Sequence, residues 1–105
     1  MISLNEQDNN RSIEVRTGDQ LLLTLRENAA TGFKWHLAPY NEKVLILESN
    51  AFFPPSTSQM GASGNRLVSF RAIAPGQTVI RLRNRRSWEP PEKFAAEFAV
   101  NISVS

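Results

Sequence analysis

The residues of this chain best suited to covalent or proton-transfer chemistry stand without partners. His36 is the only histidine, and it falls beside Trp35 within an alternating apolar segment. An imidazole there reads as a surface side chain rather than a general base. One histidine cannot assemble a multi-histidine metal site, and the absence of cysteine removes thiolate sites and disulfides alike. Ser63 lies in Gly61-Ala62-Ser63-Gly64-Asn65, where Asn65 stands at the position of the last glycine of a Gly-x-Ser-x-Gly elbow. Such an elbow also needs a strand feeding a helix, and no helical period follows. Phosphate-cradling glycine motifs are absent, and the ten acidic residues are scattered without an evident acid–base pair. The chain does not read as an enzyme, and no metal or cofactor is implied.

The elements around these residues read as strands. Phe94, Ala96, Phe98, Val100, Ile102 and Val104 alternate with Ala95, Glu97, Ala99, Asn101 and Ser103. That period of two marks a long half-buried strand with even positions inward. Val68, Phe70 and Ala72 repeat the pattern, as do Phe33, Trp35 and Leu37. Ile13 and Val15 mark a first strand, Leu21, Leu23 and Leu25 a second, Val44 to Leu47 a fourth, and Ile80 with Leu82 a sixth. Turn residues punctuate the series at Thr17-Gly18-Asp19, Ala38-Pro39-Tyr40-Asn41 and Pro75-Gly76. The expected architecture is all-β: an immunoglobulin-like two-sheet β-sandwich of about seven to eight antiparallel strands. At 105 residues the chain reads as one domain, 1–105, with no repeat or linker.

Three irregular segments occupy the alternate gaps of this strand series: Asn28-Ala29-Ala30-Thr31-Gly32-Phe33, Met60-Gly61-Ala62-Ser63-Gly64, and Arg85-Arg86-Ser87-Trp88-Glu89-Pro90-Pro91. With each strand running back against the last, the three emerge at one end and form a contact surface on a rigid scaffold. Gly32 permits positive φ, which suits either an ordinary hairpin turn or a narrow rigid projection. Trp88 stands outside either flanking alternation, so its indole is either folded back over the end of the sandwich or held out as an anchor. The longest connection runs from Phe52 to Asn65. Arg66, Arg71, Arg81, Arg83, Arg85 and Arg86 fall in a stretch without a carboxylate, which reads as the solvated outer faces of two strands.

Taken together, the three segments resemble the chagasin-type inhibitors of papain-like cysteine peptidases. That family carries Asn-Pro-Thr-Thr-Gly-Tyr/Phe followed by a tryptophan, then Gly-x-Gly-Gly, then Arg-Pro-Trp/Phe. The matching stretches are Asn28 to Phe33 with Trp35, Gly61-Ala62-Ser63-Gly64, and Arg86-Ser87-Trp88. Ala29 and Ala30 replace proline and threonine, Ser63 replaces the middle glycine, and Ser87 replaces the proline before the aromatic. The resemblance implies a tripartite wedge in the cleft of a cathepsin-like peptidase, reversible and non-covalent. Ala30 to Phe33 would enter the catalytic centre, Met60 to Gly64 would lie along one side, and Trp88 supported by Arg86 would hold the other.

Two other readings use the same features. One is a β-sandwich adhesion or assembly module with a non-peptidase partner. The other is nucleic-acid binding through the arginine stretch with Trp88 as a stacking platform. Against the latter, Arg81 and Arg83 alternate on a strand face and the net charge is only +2. No apolar run approaches the roughly 18 residues of a membrane span. Met1 to Arg11 is polar rather than signal-like, so the compartment stays open: periplasmic or secreted if a leader has been removed, otherwise cytoplasmic. A monomer suits a wedge.

Overall fold

The computed structural model describes residues 1–28, 31–55 and 63–105. These form eight strands in chain order: β1 (Ile2–Leu4), β2 (Ser12–Val15), β3 (Gln20–Glu27), β4 (Phe33–Leu37), β5 (Leu45–Phe53), β6 (Gly64–Ala72), β7 (Gly76–Arg86) and β8 (Ala96–Val104). A 3-10 turn at Glu6–Asp8 follows β1, closed by a capping box between Asn5 and Asp8. Two four-stranded sheets result, ordered β1-β3-β6-β5 and β2-β8-β7-β4. The sandwich expected from the alternation is present.

The pairing is not antiparallel throughout. β1 runs parallel to β3 and β2 parallel to β8, so both sheets are mixed. The cause lies in the path of the chain. β1 and β2 belong to different sheets, and β2 and its successor β3 do as well, so neither early strand has a hairpin partner. Each joins the edge of a sheet after a crossover, which is how parallel neighbours arise.

Alternation decides the core. Leu21, Leu23 and Leu25 of β3 and Val68, Phe70 and Ala72 of β6 face Ile80 and Leu82 of β7 and Phe98, Val100, Ile102 and Val104 of β8, all buried. Tyr40 closes the far end: its ring meets Phe70 edge-on at 5.4 Å, and its hydroxyl accepts a hydrogen bond from the Leu47 backbone. The last strand starts at Ala96, and Phe94 stays exposed outside it with the Arg83 guanidinium 4.5 Å above its ring. β5 is longer than the apolar pattern indicates. It runs on to Phe53 past a bulge between Leu47 and Ser49, as an edge strand that buries only Leu45.

The arginine stretch divides. Arg81, Arg83 and Arg85 lie on the outer face of β7 as expected. Arg66 does not: it shares the inward parity of Val68 and Phe70, and its side chain is only 14% exposed. Arg71 bonds Glu48 at 3.0 Å and the Gly18 carbonyl at 3.1 Å.

Candidate functional site

β3 ends and β4 begins, β5 ends and β6 begins, and β7 ends and β8 begins at one end of the sandwich, which carries the described residues of the three irregular segments. The first is not a hairpin. It leaves β3 in one sheet and enters β4 in the other, so it bridges the two layers. The other two do connect hydrogen-bonded antiparallel neighbours. Ala29 and Ala30 of the first segment, and Met60, Gly61 and Ala62 of the second, lie outside the described residues.

A buried carboxylate anchors the base of the first segment. Glu27 is 2% exposed at the end of β3, on the inward parity of Leu21, Leu23 and Leu25. Its Oε1 accepts from the Trp35 backbone N–H at 2.7 Å and from Arg66 Nε at 3.1 Å, and its Oε2 accepts from Arg66 Nη2 at 2.7 Å. Arg66 spends a further donor on Asn50 Oδ1 at 3.2 Å. The Trp35 indole N–H donates to the Arg26 carbonyl at 2.7 Å. These bonds staple β4 of one sheet to β3 and β6 of the other, directly beneath the crossing. A buried charge is tolerable only when paired and hydrogen-bonded, and Glu27 is both. Glu27 and Arg66 are absent from the expected site residues. The available signal is a charge at an inward position of an otherwise apolar alternation.

Above this base, the first and third segments form one unit. Asn28 accepts at its carbonyl from Thr31 Oγ1 at 2.9 Å and from the Thr31 N–H at 3.4 Å, which holds Thr31 back against the end of β3. Gly32 follows at φ +78°, a conformation that costs a Cβ-bearing residue about 1–2 kcal/mol. Glycine is needed there for a second reason. A Cβ at Gly32 would stand 2.5 Å from Trp88 Cη2, so the edge of the indole lies against the glycine backbone. Phe33 then opens β4 with Arg86 of β7 as its register partner.

Arg86 ties the unit together. Its Nε donates to the Thr31 carbonyl at 3.3 Å, and its guanidinium lies 4.4 Å from the Phe33 ring centroid and 5.9 Å from that of Trp88. Its Nη1 stands 3.8 Å from Glu89, whose N–H returns to the Arg86 carbonyl and turns the chain through exposed Ser87. Trp88 touches Gly32 along one edge yet remains 70% exposed. The indole leans on the first segment and still offers most of its surface outward.

Of the second segment, Ser63 is exposed and Gly64 is not a loop residue. Gly64 is the buried first residue of β6, in register with Glu27, and so lies beside the base of the first segment. Its lack of a side chain is required, because a Cβ would collide with the Phe53 carbonyl and, at 2.6 Å, with the Phe52 ring. Among the described residues no group of three or more His, Cys, Asp or Glu is arranged to hold a metal. His36 sits at mid-strand on the outer face of β4, opposite Arg83 of β7.

The profile of the chagasin family of peptidase inhibitors (I42) matches residues 14–102. Chagasin of Trypanosoma cruzi is 27% identical over 103 residues, covering 92% of each chain. Among solved structures, the cysteine protease inhibitor EhICP2 of Entamoeba histolytica superposes with a TM-score of 0.87 at 20% identity, over 99% of this chain and 95% of the other. PbICP-C, solved in complex with falcipain-2, superposes with a TM-score of 0.79 at 15% identity over the whole of both chains. The two structures share the fold, and the family profile spans the strands and segments that build the pole. A bent Thr31-Gly32 tip, a tryptophan leaning on it and an arginine beneath both therefore stand in a chain that belongs to the chagasin family of peptidase inhibitors.

Proposed function

We propose that this chain, acting as a single monomeric domain, inhibits papain-like cysteine peptidases by laying its loop pole into the active-site cleft. Ala30 to Phe33 enter the catalytic centre, with Thr31 and Gly32 nearest the peptidase's cysteine and histidine. Met60 to Gly64 lie along one side of the cleft as an extended backbone. Trp88 packs on the other side, held in direction by Arg86. Asn28 and Ala29 shape the approach to the first tip, and Ser87 sets the turn that presents the indole. The inhibitor blocks the nucleophile without offering an aligned scissile carbonyl, and it has no thiol or electrophile of its own. Inhibition is therefore competitive, reversible and non-covalent.

The observation that carries this reading is the clamp of Arg86 on Thr31, Phe33 and Trp88. A tip and an anchor fixed against each other before binding need little further ordering in the complex, which conserves affinity. Family membership, and the falcipain-2 complex of PbICP-C, support the target class. The test is titration of papain and cathepsin-like peptidases with the purified chain. Stoichiometric loss of activity with the inhibitor recovered intact is expected. Activity that persists at saturating inhibitor, or that returns as the chain is cleaved, would overturn the proposal.

A further inference from the structure

The outward-facing arginines of β7 are left unused by the loop pole. Arg81, Arg83 and Arg85 alternate with Ile80, Leu82 and Asn84, which face inward. Lys34 and His36 of β4 share the outer face, in register opposite Arg85 and Arg83 respectively. Like charges directly opposite one another destabilise a sheet. On the outer face of β4, β7 and β8, Glu97 is the one carboxylate, and Arg83 takes it up at 2.8 Å. Four cations against that single acid leave an excess of three on one face of a chain whose total is +2. Glu14 lies on the same sheet face but at its other end, in register with Ser103.

Among the described residues, neither Lys34 nor Arg81 has an acidic partner, and Arg85 reaches only the Arg86 carbonyl, at 3.5 Å. An open depression of about 350 Å³ lies between these groups, lined by His36, Arg81, Arg83, Arg85, Pro39 and Pro91. The His36 Nε2 is buried there without a hydrogen-bond partner. Burial first, and the Arg85 guanidinium second, hold the His36 pKa below its ordinary value, which agrees with a strongly positive surrounding.

We propose that this face binds a sulfated polysaccharide, with sulfate groups seated along the row Arg81, Arg85 and Lys34. Arg81 and Arg85, four residues apart on β7, stand ~13 Å from each other, and Lys34 lies opposite Arg85 on β4 at ~5 Å, so the row offers spaced cationic positions to a linear polyanion. A nucleic acid is the poorer fit. Single-strand binding draws on aromatic platforms, and on this face the Phe94 ring is already covered by Arg83. The inference stands apart from the loop reading, since the row leaves Thr31 and Trp88 free.

The test is calorimetric titration with a heparin decasaccharide at low salt and at about 0.15 M salt. Binding is expected, with log K falling linearly in log salt at a slope of roughly two to three, as for a few released counterions. Arg81→Glu with Arg85→Glu should weaken binding by about tenfold or more. Arg81→Ser, at an exposed position, gives a milder version should the double variant fail to fold. No detectable binding at low salt, or folded variants that bind as the parent does, would overturn the proposal. So would a single-stranded oligonucleotide of equal charge binding as tightly as the decasaccharide.

Discussion

Substituting Gly32 by alanine tests whether the first and third segments work as one body. Two costs follow from the geometry, and they fall on different observables. The φ of +78° charges any L side chain about 1–2 kcal/mol in the folded state. For a chain of this length that lowers Tm by roughly 4–16 °C. The second cost is steric. The new Cβ would lie 2.5 Å from Trp88 Cη2 and 3.3 Å from Cζ3, against an ordinary contact of 3.4–4 Å. The indole, 70% exposed, has solvent to retreat into, so it gives way rather than the backbone. Retreat by about an ångström adds little to the unfolding cost but removes the anchor from its preset position. A displaced tryptophan anchor is worth about 2 kcal/mol, or roughly 30-fold in the inhibition constant.

Tight-binding titration of papain with Gly32→Ala, Trp88→Ala and the double variant separates these effects. Trp88→Ala alone should weaken inhibition by about 2 kcal/mol. In its absence the alanine meets no indole, so Gly32→Ala should cost much less than in the parent. The coupling between the two positions should exceed about 1 kcal/mol. Losses that simply add, within about 0.5 kcal/mol, would show that the Gly32–Trp88 contact does not set the geometry of the pole.

Glu27→Ala strands the Arg66 guanidinium in the interior and should cost about 3–5 kcal/mol by urea denaturation. The apolar pair Glu27→Leu with Arg66→Met should be less destabilised than either single change, and a cost below about 1 kcal/mol for Glu27→Ala would refute the staple. Arg86→Lys keeps the charge but cannot bond Thr31 and stack on Phe33 with one planar group. Inhibition should weaken about fivefold with little change in Tm, in line with one lost cation–π contact; an unaltered inhibition constant would remove Arg86 from its tying role. His36 has a pKa depressed below 6.5 in the folded chain, by burial and by Arg85 and Lys34, with Glu27 and a backbone hydrogen bond acting the other way. The unfolded chain therefore binds the extra proton first, so stability is full above pH 6.5 and declines as pH falls through that value. His36→Gln should flatten the decline, and superimposable pH profiles would exclude His36 as its source.

The part of the fold that depends on local alternation is legible in the order of the amino acids. Leu21 to Leu25, Val68 to Ala72, Ile80 with Leu82, and Phe98 to Val104 each put one face in the core, because a pleated strand sends successive side chains to opposite sides. The turn glycines and the order of the three irregular segments are legible for the same reason: φ preference and spacing are properties of short stretches. β1 is not, since three residues make no period. Glu48 to Phe53 is not either, because an edge strand with little burial has no reason to alternate.

How those pieces meet is a matter of tertiary packing alone. Whether β3 and β4 share a sheet depends on which surfaces pack, so the crossing of the first segment between layers could not follow from its own residues. The partnership of Glu27 with Arg66, 39 positions apart, depends on register between β3 and β6. The same holds for the seat of Trp88 against Gly32 and the reach of Arg86 to Thr31, 55 positions away. Alternation says that a side chain points inward; only the assembled sandwich says what it finds there.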